Sequence, residues 1–297
     1  IDIGSNSTNL LIVDQAGKTL ERIVRSTRLG ANLTSTGVLS AESIRRTLEC
    51  LNEYESLIKR HNVLRRRTVA TAACRVAKNT AEFFAAVKKI SGAEPELISG
   101  EIEGALSFVG ATSSFSDKRP TLVVDIGGAS TELMVGSETL DFAVSLPFGA
   151  VNITESELHR DPPRPEELTN AISLVSDAVD DVAHNYPQVS QVDRIVGVAG
   201  TIVTVAAVEV GQKVFDANSL HELRLTRQAV EDVFRTVATE PLTLRVQNPG
   251  LGPDRADIIV AGCCILVATM RRLHLAEITV STRGLLDGVV NRVRLNS

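Results

Sequence analysis

Short runs of alternating or β-branched apolar residues occur twice in this chain at a fixed spacing. Asp2-Ile3-Gly4-Ser5-Asn6-Ser7-Thr8 lies over Asp125-Ile126-Gly127-Gly128-Ala129-Ser130-Thr131, 123 positions later. Each copy reads as a strand, a tight glycine-containing turn and a second strand, with a further hairpin signal at Gly17 and at Gly136-Ser137. Beyond these strands the apolar period lengthens to that of a helix. Ile44, Leu48, Leu51 and Ile58 form one stripe over residues 40–60, with Ser40 placed as N-cap.

A strand at 68–72 follows. Asn79 and Glu82 then resemble a capping pair opening a helix through Phe83, Val87 and Ile90, which Gly92 stops. The first copy therefore has the order βββαβα. The second repeats it, with strands near 121–125, 130–135 and 140–146, a helix near 165–185, a strand at 194–198 and helices at 227–238 and 255–273. The polar break at 117–120 sets the expected lobes at 1–118 and 119–297, with a helix at 284–297 packing back on the first, and 241–253 reads as a loop.

Composition adds little to this outline. A chain of 297 residues, 43% hydrophobic and 23% charged, has room for two globular cores. The formal charge of -5 argues against a DNA binder that relies on bulk electrostatics, while a local cluster of cations and N–H groups would still hold a polyanion. Cys50, Cys74, Cys263 and Cys264 show no CxxC spacing and read as small core residues, which suits a reducing cytoplasm. The longest apolar run, 258–270, falls short of the roughly 20 residues a membrane span needs, so a buried helix is expected. No signal-peptide pattern precedes the first strand, which is expected to begin before Ile1.

The chemistry concentrates in the repeated turns. A turn of the type Asp-x-Gly-Ser-Asn-Ser between strands offers consecutive backbone N–H groups to an anion, and glycine removes the Cβ that would block its approach. The preceding Asp supplies a hard oxygen suited to Mg²⁺. One such turn reads as an ordinary hairpin; two in tandem point to a clamp on a phosphate chain. A third turn, Gly197-Val198-Ala199-Gly200-Thr201, either faces nucleotide or phosphate or simply joins a strand to a helix. His61, His159, His184, His221 and His274 are isolated and suggest no metal site. The basic clusters at 65–67, Lys88-Lys89 and Arg271-Arg272 read as solvated faces or as a polyanion track.

Six strings together carry a resemblance: the paired turns, Thr71-Ala72-Ala73-Cys74-Arg75, Ile98-Ser99-Gly100-Glu101-Ile102-Glu103-Gly104-Ala105, the turn at Gly197, Arg255-Ala256-Asp257, and Ser281-Thr282-Arg283-Gly284-Leu285-Leu286. In this order, and nearly end to end, the chain resembles the exopolyphosphatase and guanosine-pentaphosphatase family. The resemblance implies an α/β, two-lobed actin-like ATPase fold of the ribonuclease H-like βββαβα type, with the active site in the interdomain cleft. It implies Mg²⁺ or Mn²⁺ held by Asp2 and Asp125, and phosphate held by Gly4, Ser5, Asn6, Ser7, Gly127, Gly128, Ala129, Ser130, Thr131, Gly200 and Thr201. Ser130 and Thr131 read as hydroxyl donors to phosphate rather than nucleophiles.

Hydrolysis of a phosphoanhydride needs an in-line water, an acceptor for its proton and cations on the phosphate oxygens. The resemblance gives Glu103 the acceptor role and Arg75 the phosphate-binding role; Glu132, by its place in the second loop, reads as orienting water or metal or else as a surface strand residue. Glu101 is the rival base, because members of the family carry adjacent acids here and this chain separates them with Ile102; spacing to Gly104-Ala105 favours Glu103. Ala129 is a second departure, standing where the family has a third glycine. Longer members add a C-terminal His-Asp phosphohydrolase domain, so catalysis is expected to rest on the two lobes.

The expected activity is removal of terminal orthophosphate from inorganic polyphosphate by a cytoplasmic homodimer that binds neither DNA nor membrane. Guanosine pentaphosphate 5′-phosphohydrolysis is the alternative. An acetate- or sugar-kinase-like transfer and a non-catalytic ATP-binding scaffold are more distant ones.

Overall fold

Strand β1 (Asp2–Ile3) pairs antiparallel with β2 (Ser7–Val13), setting Ile3 opposite Thr8 across the first glycine turn. β3 (Thr19–Ser26) returns along β2 after Gly17, whose φ of 89° suits the turn. α1 (Leu33–Thr36) and α2 (Ala41–Arg60) follow, and Ser40 Oγ caps α2 by accepting from the Ser43 N–H at 3.1 Å. β4 (Val69–Ala70) enters parallel to β1, then come α3 (Ala72–Val76), α4 (Thr80–Ser91), β5 (Glu96–Leu97) parallel to β4, and α5 (Gly100–Thr112). The order β3-β2-β1-β4-β5, an antiparallel meander continued by parallel crossovers, is the ribonuclease H-like arrangement.

The second copy builds β6 (Thr121–Ile126), β7 (Thr131–Gly136) and β8 (Leu140–Leu146), then α6 (Ala150–Glu157) and α7 (Pro165–Asn185). β9 (Arg194–Val198) lies parallel to β6. After it come α8 (Ala199–Glu209), α9 (Ala217–Leu220), β10 (Arg224–Thr226), α10 (Arg227–Thr239), α11 (Leu242–Arg245), α12 (Ile259–Arg272) and β11 (Glu277–Val280). Its sheet runs β10-β11-β9-β6-β7-β8. Every residue of α12 from Ile259 to Met270 is buried, which is why this stretch is apolar all round.

The computed structural model describes residues 1–295, and contacts divide them into two units. The first is Ile1–Gly110 together with the closing helix α13 (Leu285–Leu295), and the second is Ala111–Gly284. The division falls inside α5 rather than at the polar break of 117–120. Residues 296 and 297 of the expected terminal helix lie outside the described residues.

α13 touches α5 closely. A Cβ on Gly288 would come within 2.0 Å of the Leu106 carbonyl oxygen, so glycine is what lets the two backbones meet. Val69, Ile98, Leu106 and Val289 form a small core at this junction, and Arg22 of β3 pairs with Asp287 of α13. A larger core in the same unit gathers Ile3, Leu10, Tyr54 and Phe83.

Several expectations differ in detail. The strand expected at 68–72 ends at Ala70, since the run Ala72-Ala73-Cys74 of small residues turns at once into α3, with Cys74 and Arg75 N–H donating to Thr71 O. Asn79 does not cap α4; its amide brackets the Leu39 backbone instead, at 2.8 and 2.9 Å. The helix expected from 255 begins at Ile259, and the loop of 241–253 contains α11.

Candidate functional site

In the first glycine turn the Gly4 N–H donates to Ser7 O at 2.9 Å, and a Cβ on Gly4 would stand 3.0 Å from that oxygen. The turn's carbonyls are tied back: Ser5 O accepts from Gly30 N–H at 2.8 Å and Asn6 O from Arg28 N–H at 2.9 Å. Gly30 lies against Ser5, where a Cβ would be 3.2 Å from the serine Cβ. Among the described residues nothing accepts from the N–H groups of Ser5 or Asn6. Carbonyls held on one side and donors left on the other make an anion nest.

The same unit brings Asp2, Arg75 and Glu103 together. Asp2 opens the short β1, is 8% exposed, and accepts from Asn9 Nδ2 at 2.9 Å. Burial pushes its carboxyl up to about 7; the Asn9 hydrogen bond opposes the rise and the nearby Glu103 charge adds to it. Glu103 stands in the first turn of α5, whose N-terminus Ser99 caps by accepting from the Ile102 N–H at 3.3 Å. Arg75, on α3, donates to Glu103 Oε2 at 2.6 Å and to Ile98 O at 3.1 Å. Burial raises the Glu103 carboxyl above its ordinary value and the Arg75 hydrogen bond works against it. Glu101, one turn-face away, is exposed.

The second turn repeats the design. Gly127 N–H donates to Ser130 O at 3.0 Å. Gly127 O and Gly128 O accept from Ala150 and Val151 N–H at 2.9 and 2.8 Å, and Ala129 O accepts from Asn152 Nδ2 at 3.0 Å. Gly149 is pressed on this turn so closely that a Cβ would come within 2.6 Å of Gly127 O. The N–H groups of Gly128 and Ala129 are likewise left without an acceptor among the described residues. Ala129 is not in the left-handed region, so this turn has no need of a third glycine. Thr131 stands apart from its neighbours: it is fully buried, and its hydroxyl donates to Phe148 O at 2.8 Å.

Asp125 and Glu132 face each other as cross-strand partners on β6 and β7, and Ser145 Oγ donates to Glu132 Oε1 at 2.7 Å. Glu132 is 6% exposed, not a surface residue. At the end of β9, Ala199 has a φ of 67°, a left-handed conformation that costs an alanine roughly 1 kcal/mol and opens α8. Thr201 is buried against Gly262 of α12. Arg255 covers Gly200, where a Cβ would lie 2.1 Å from the guanidinium, and burial lowers the Arg255 pKa. The next carbonyl, Ala256 O, is held by Arg245, a 3% exposed guanidinium that also reaches Val237 O, Glu240 O and Asp161 Oδ1.

Both units offer oxygen donors to a hard cation. Asp2 Oδ1 is buried with no hydrogen-bond partner among the described residues, and Asp125 and Glu132, as cross-strand partners, place their side chains on one face of the sheet. Among the described residues no group of three or more His, Cys, Asp or Glu comes together. The basic clusters are largely spent on carboxylates: Arg66 with Glu55, Arg67 with Glu96, Lys88 with Glu94, Arg271 with Glu231 and Arg272 with Asp180.

Asn9, Gly30, Gly149 and the covering position of Arg255 were not legible as site features. Gly30 and Gly149 do end matching Leu29-Gly30 and Phe148-Gly149 steps after each third strand, the one signal that pointed to them.

A family model described as the Ppx/GppA phosphatase family matches residues 1–296. The chain is 32% identical to "Exopolyphosphatase 2" of Mycobacterium tuberculosis, over 97% of this chain and 96% of that protein. It is also 32% identical to "Guanosine-5'-triphosphate,3'-diphosphate pyrophosphatase" of Photobacterium profundum, over 98% of this chain but 58% of that protein. The crystal structure of the Aquifex aeolicus Ppx/GppA family member superposes with a TM-score of 0.82 at 33% identity, covering 100% of this chain and 96% of that one.

Proposed function

The chain belongs to the Ppx/GppA phosphatase family, whose members hydrolyse phosphoanhydrides, and from that premise we propose that it is an exopolyphosphatase. The observation that carries this reading is the placing of Glu103 beside Arg75 and close to Asp2 in the unit that holds the first anion nest.

In this reading the Ser5 and Asn6 N–H groups hold oxygens of the terminal phosphate, and Arg75 turns a guanidinium edge from Glu103 to another. Within the second unit the Gly128 and Ala129 N–H groups form a nest of their own for phosphate oxygens, and Arg255 covers Gly200. Asp2 in the first unit, and Asp125 in the second, would each offer an oxygen to Mg²⁺ or Mn²⁺, an ion that would neutralise charge on phosphate oxygens. Glu103 accepts a proton from water as its oxygen bonds to the terminal phosphorus; the bridging P–O bond breaks, releasing orthophosphate and a chain one unit shorter. A carboxyl already raised by burial is a stronger acceptor than an exposed one.

Guanosine pentaphosphate offers the same bond, and the identity to the Photobacterium profundum protein equals that to the Mycobacterium tuberculosis one. The name carried by the Mycobacterium tuberculosis relative is the ground for preferring polyphosphate. Purified protein given polyphosphate, guanosine pentaphosphate and ATP separately, with released orthophosphate counted, tests this. Fastest release from polyphosphate is expected; fastest release from guanosine pentaphosphate or ATP, or none, overturns it.

A further inference from the structure

Three buried polar atoms around the first turn have no hydrogen-bond partner among the described residues: Asp2 Oδ1, Asn9 Oδ1 and Asn6 Nδ2. Buried polar atoms are nearly always satisfied, so three in one short segment ask what satisfies them. Two are oxygens on side chains already joined. Asp2 and Asn9 are Cα partners across β1 and β2, and Asn9 Nδ2 donates to Asp2 Oδ2 at 2.9 Å. That bond fixes both side chains and leaves each with one oxygen that only accepts. Two acceptors cannot satisfy one another. Among the described residues no Lys or Arg bonds to either oxygen.

We propose that Asn9 is a cation ligand as well as the positioning residue of Asp2, the two Oδ1 atoms together forming an oxygen pair for a divalent cation of the Mg²⁺ or Mn²⁺ class. The proposal rests on the reading of Asp2 as a cation-holding residue. Asn9 suits the place chemically. Its amide oxygen is a hard ligand that adds no charge next to Asp2 and Glu103, and its Nδ2 locks the carboxylate so that Oδ1 stays turned to the ion. Asn6 Nδ2, the third atom, is a donor and matches a phosphate oxygen carried by the same cation.

Mn²⁺ affinity, read by electron paramagnetic resonance without substrate, separates the possibilities in four proteins: wild type, D2N, N9A and N9D. The D2N variant defines the binding that depends on Asp2. N9A is expected to lose roughly tenfold or more of that component, the range in which orienting partners of metal ligands act. N9D is expected to melt lower than wild type without cation and to show a larger Mn²⁺-induced rise in melting temperature, which a purely structural Asn9 would not give. If D2N loses Mn²⁺ binding while N9A matches wild type, the role of Asn9 is overturned and that of Asp2 stands. If D2N itself binds as wild type, the reading of Asp2 falls, and the inference with it. Should N9A not fold, the N9D melts decide: an unchanged Mn²⁺ response overturns the proposal.

Discussion

Arg75 Nη1 donates to Glu103 Oε2 at 2.6 Å and to Ile98 O at 3.1 Å, so one guanidinium end links α3 to the chain entering α5. The same group that would bind phosphate holds down the basicity of the carboxylate that would activate water.

Removing it should move the pH profile. Burial raises the Glu103 carboxyl and Arg75 opposes that rise, so R75M raises it further. A general base works deprotonated, and the acid limb of kcat/KM for polyphosphate is therefore expected at higher pH in R75M than in wild type, with R75K between them. A limb that stays in place while activity falls would show that Arg75 serves binding alone.

Replacing the carboxylates one at a time separates two neighbours that the sequence left in competition. E103Q is expected to lower kcat by about 10²- to 10⁴-fold, the usual contribution of a general base, whereas E101Q, an exposed position, stays near wild type. The reverse pattern in phosphate-release assays would assign the base to Glu101.

Asp2 should make stability fall with pH. A carboxyl raised from 3.8 to about 7 binds more protons folded than unfolded, so its contribution is complete below the unfolded value and is lost as pH rises toward and through about 7. D2N abolishes this ionisation. Differential scanning calorimetry is expected to show D2N gaining several degrees on wild type at about pH 8 and little at about pH 4. Added Mg²⁺ should narrow the gap at the higher pH by stabilising wild type.

Gly288 is the most constrained contact behind Glu103. G288A would drive a methyl into the Leu106 carbonyl, and overpacking of this kind costs about 1–3 kcal/mol. Hydrogen exchange should show lost protection in α5 and α13 with α12 unchanged, together with a drop in kcat. Unchanged exchange in α5 would mean that the helices tolerate separation.

The repeat was legible because the Asp-x-Gly turns carry their constraint locally: each glycine's reason lies three residues away, at Ser7 O or Ser130 O. Gly30, Gly149 and Gly288 have equally firm reasons, at Ser5, Gly127 and Leu106, but those partners are distant in sequence. Asn79 misled for a related reason, since an Asn before a helix can cap it or bond elsewhere, and here the Leu39 backbone wins both amide atoms. β5 has two residues, too few to show a period, and α8 is apolar on nearly all sides, so its helix was hinted at only by the Gly197 turn before it. Arg75 and Glu103 were named from a resemblance and Glu132 from its place in the second loop; that Arg75 and Glu103 bond to each other, and that Asn9 grips Asp2, depends on pairings no single segment encodes.

The return of α13 to the first unit also orders events during synthesis. Residues 111–284 form an uninterrupted unit that the ribosome delivers whole, whereas residues 1–110 lack Val289 and the Gly288 contact until α13 has been made after it. A nascent chain halted near residue 284 would carry a folded second unit and a first unit with Val69, Ile98 and Leu106 still uncovered, a sticky surface of the kind chaperones hold. α13 thus completes the small core beneath α5, and a chain stopped before it would have its second glycine turn in place while α5 has nothing to lean on.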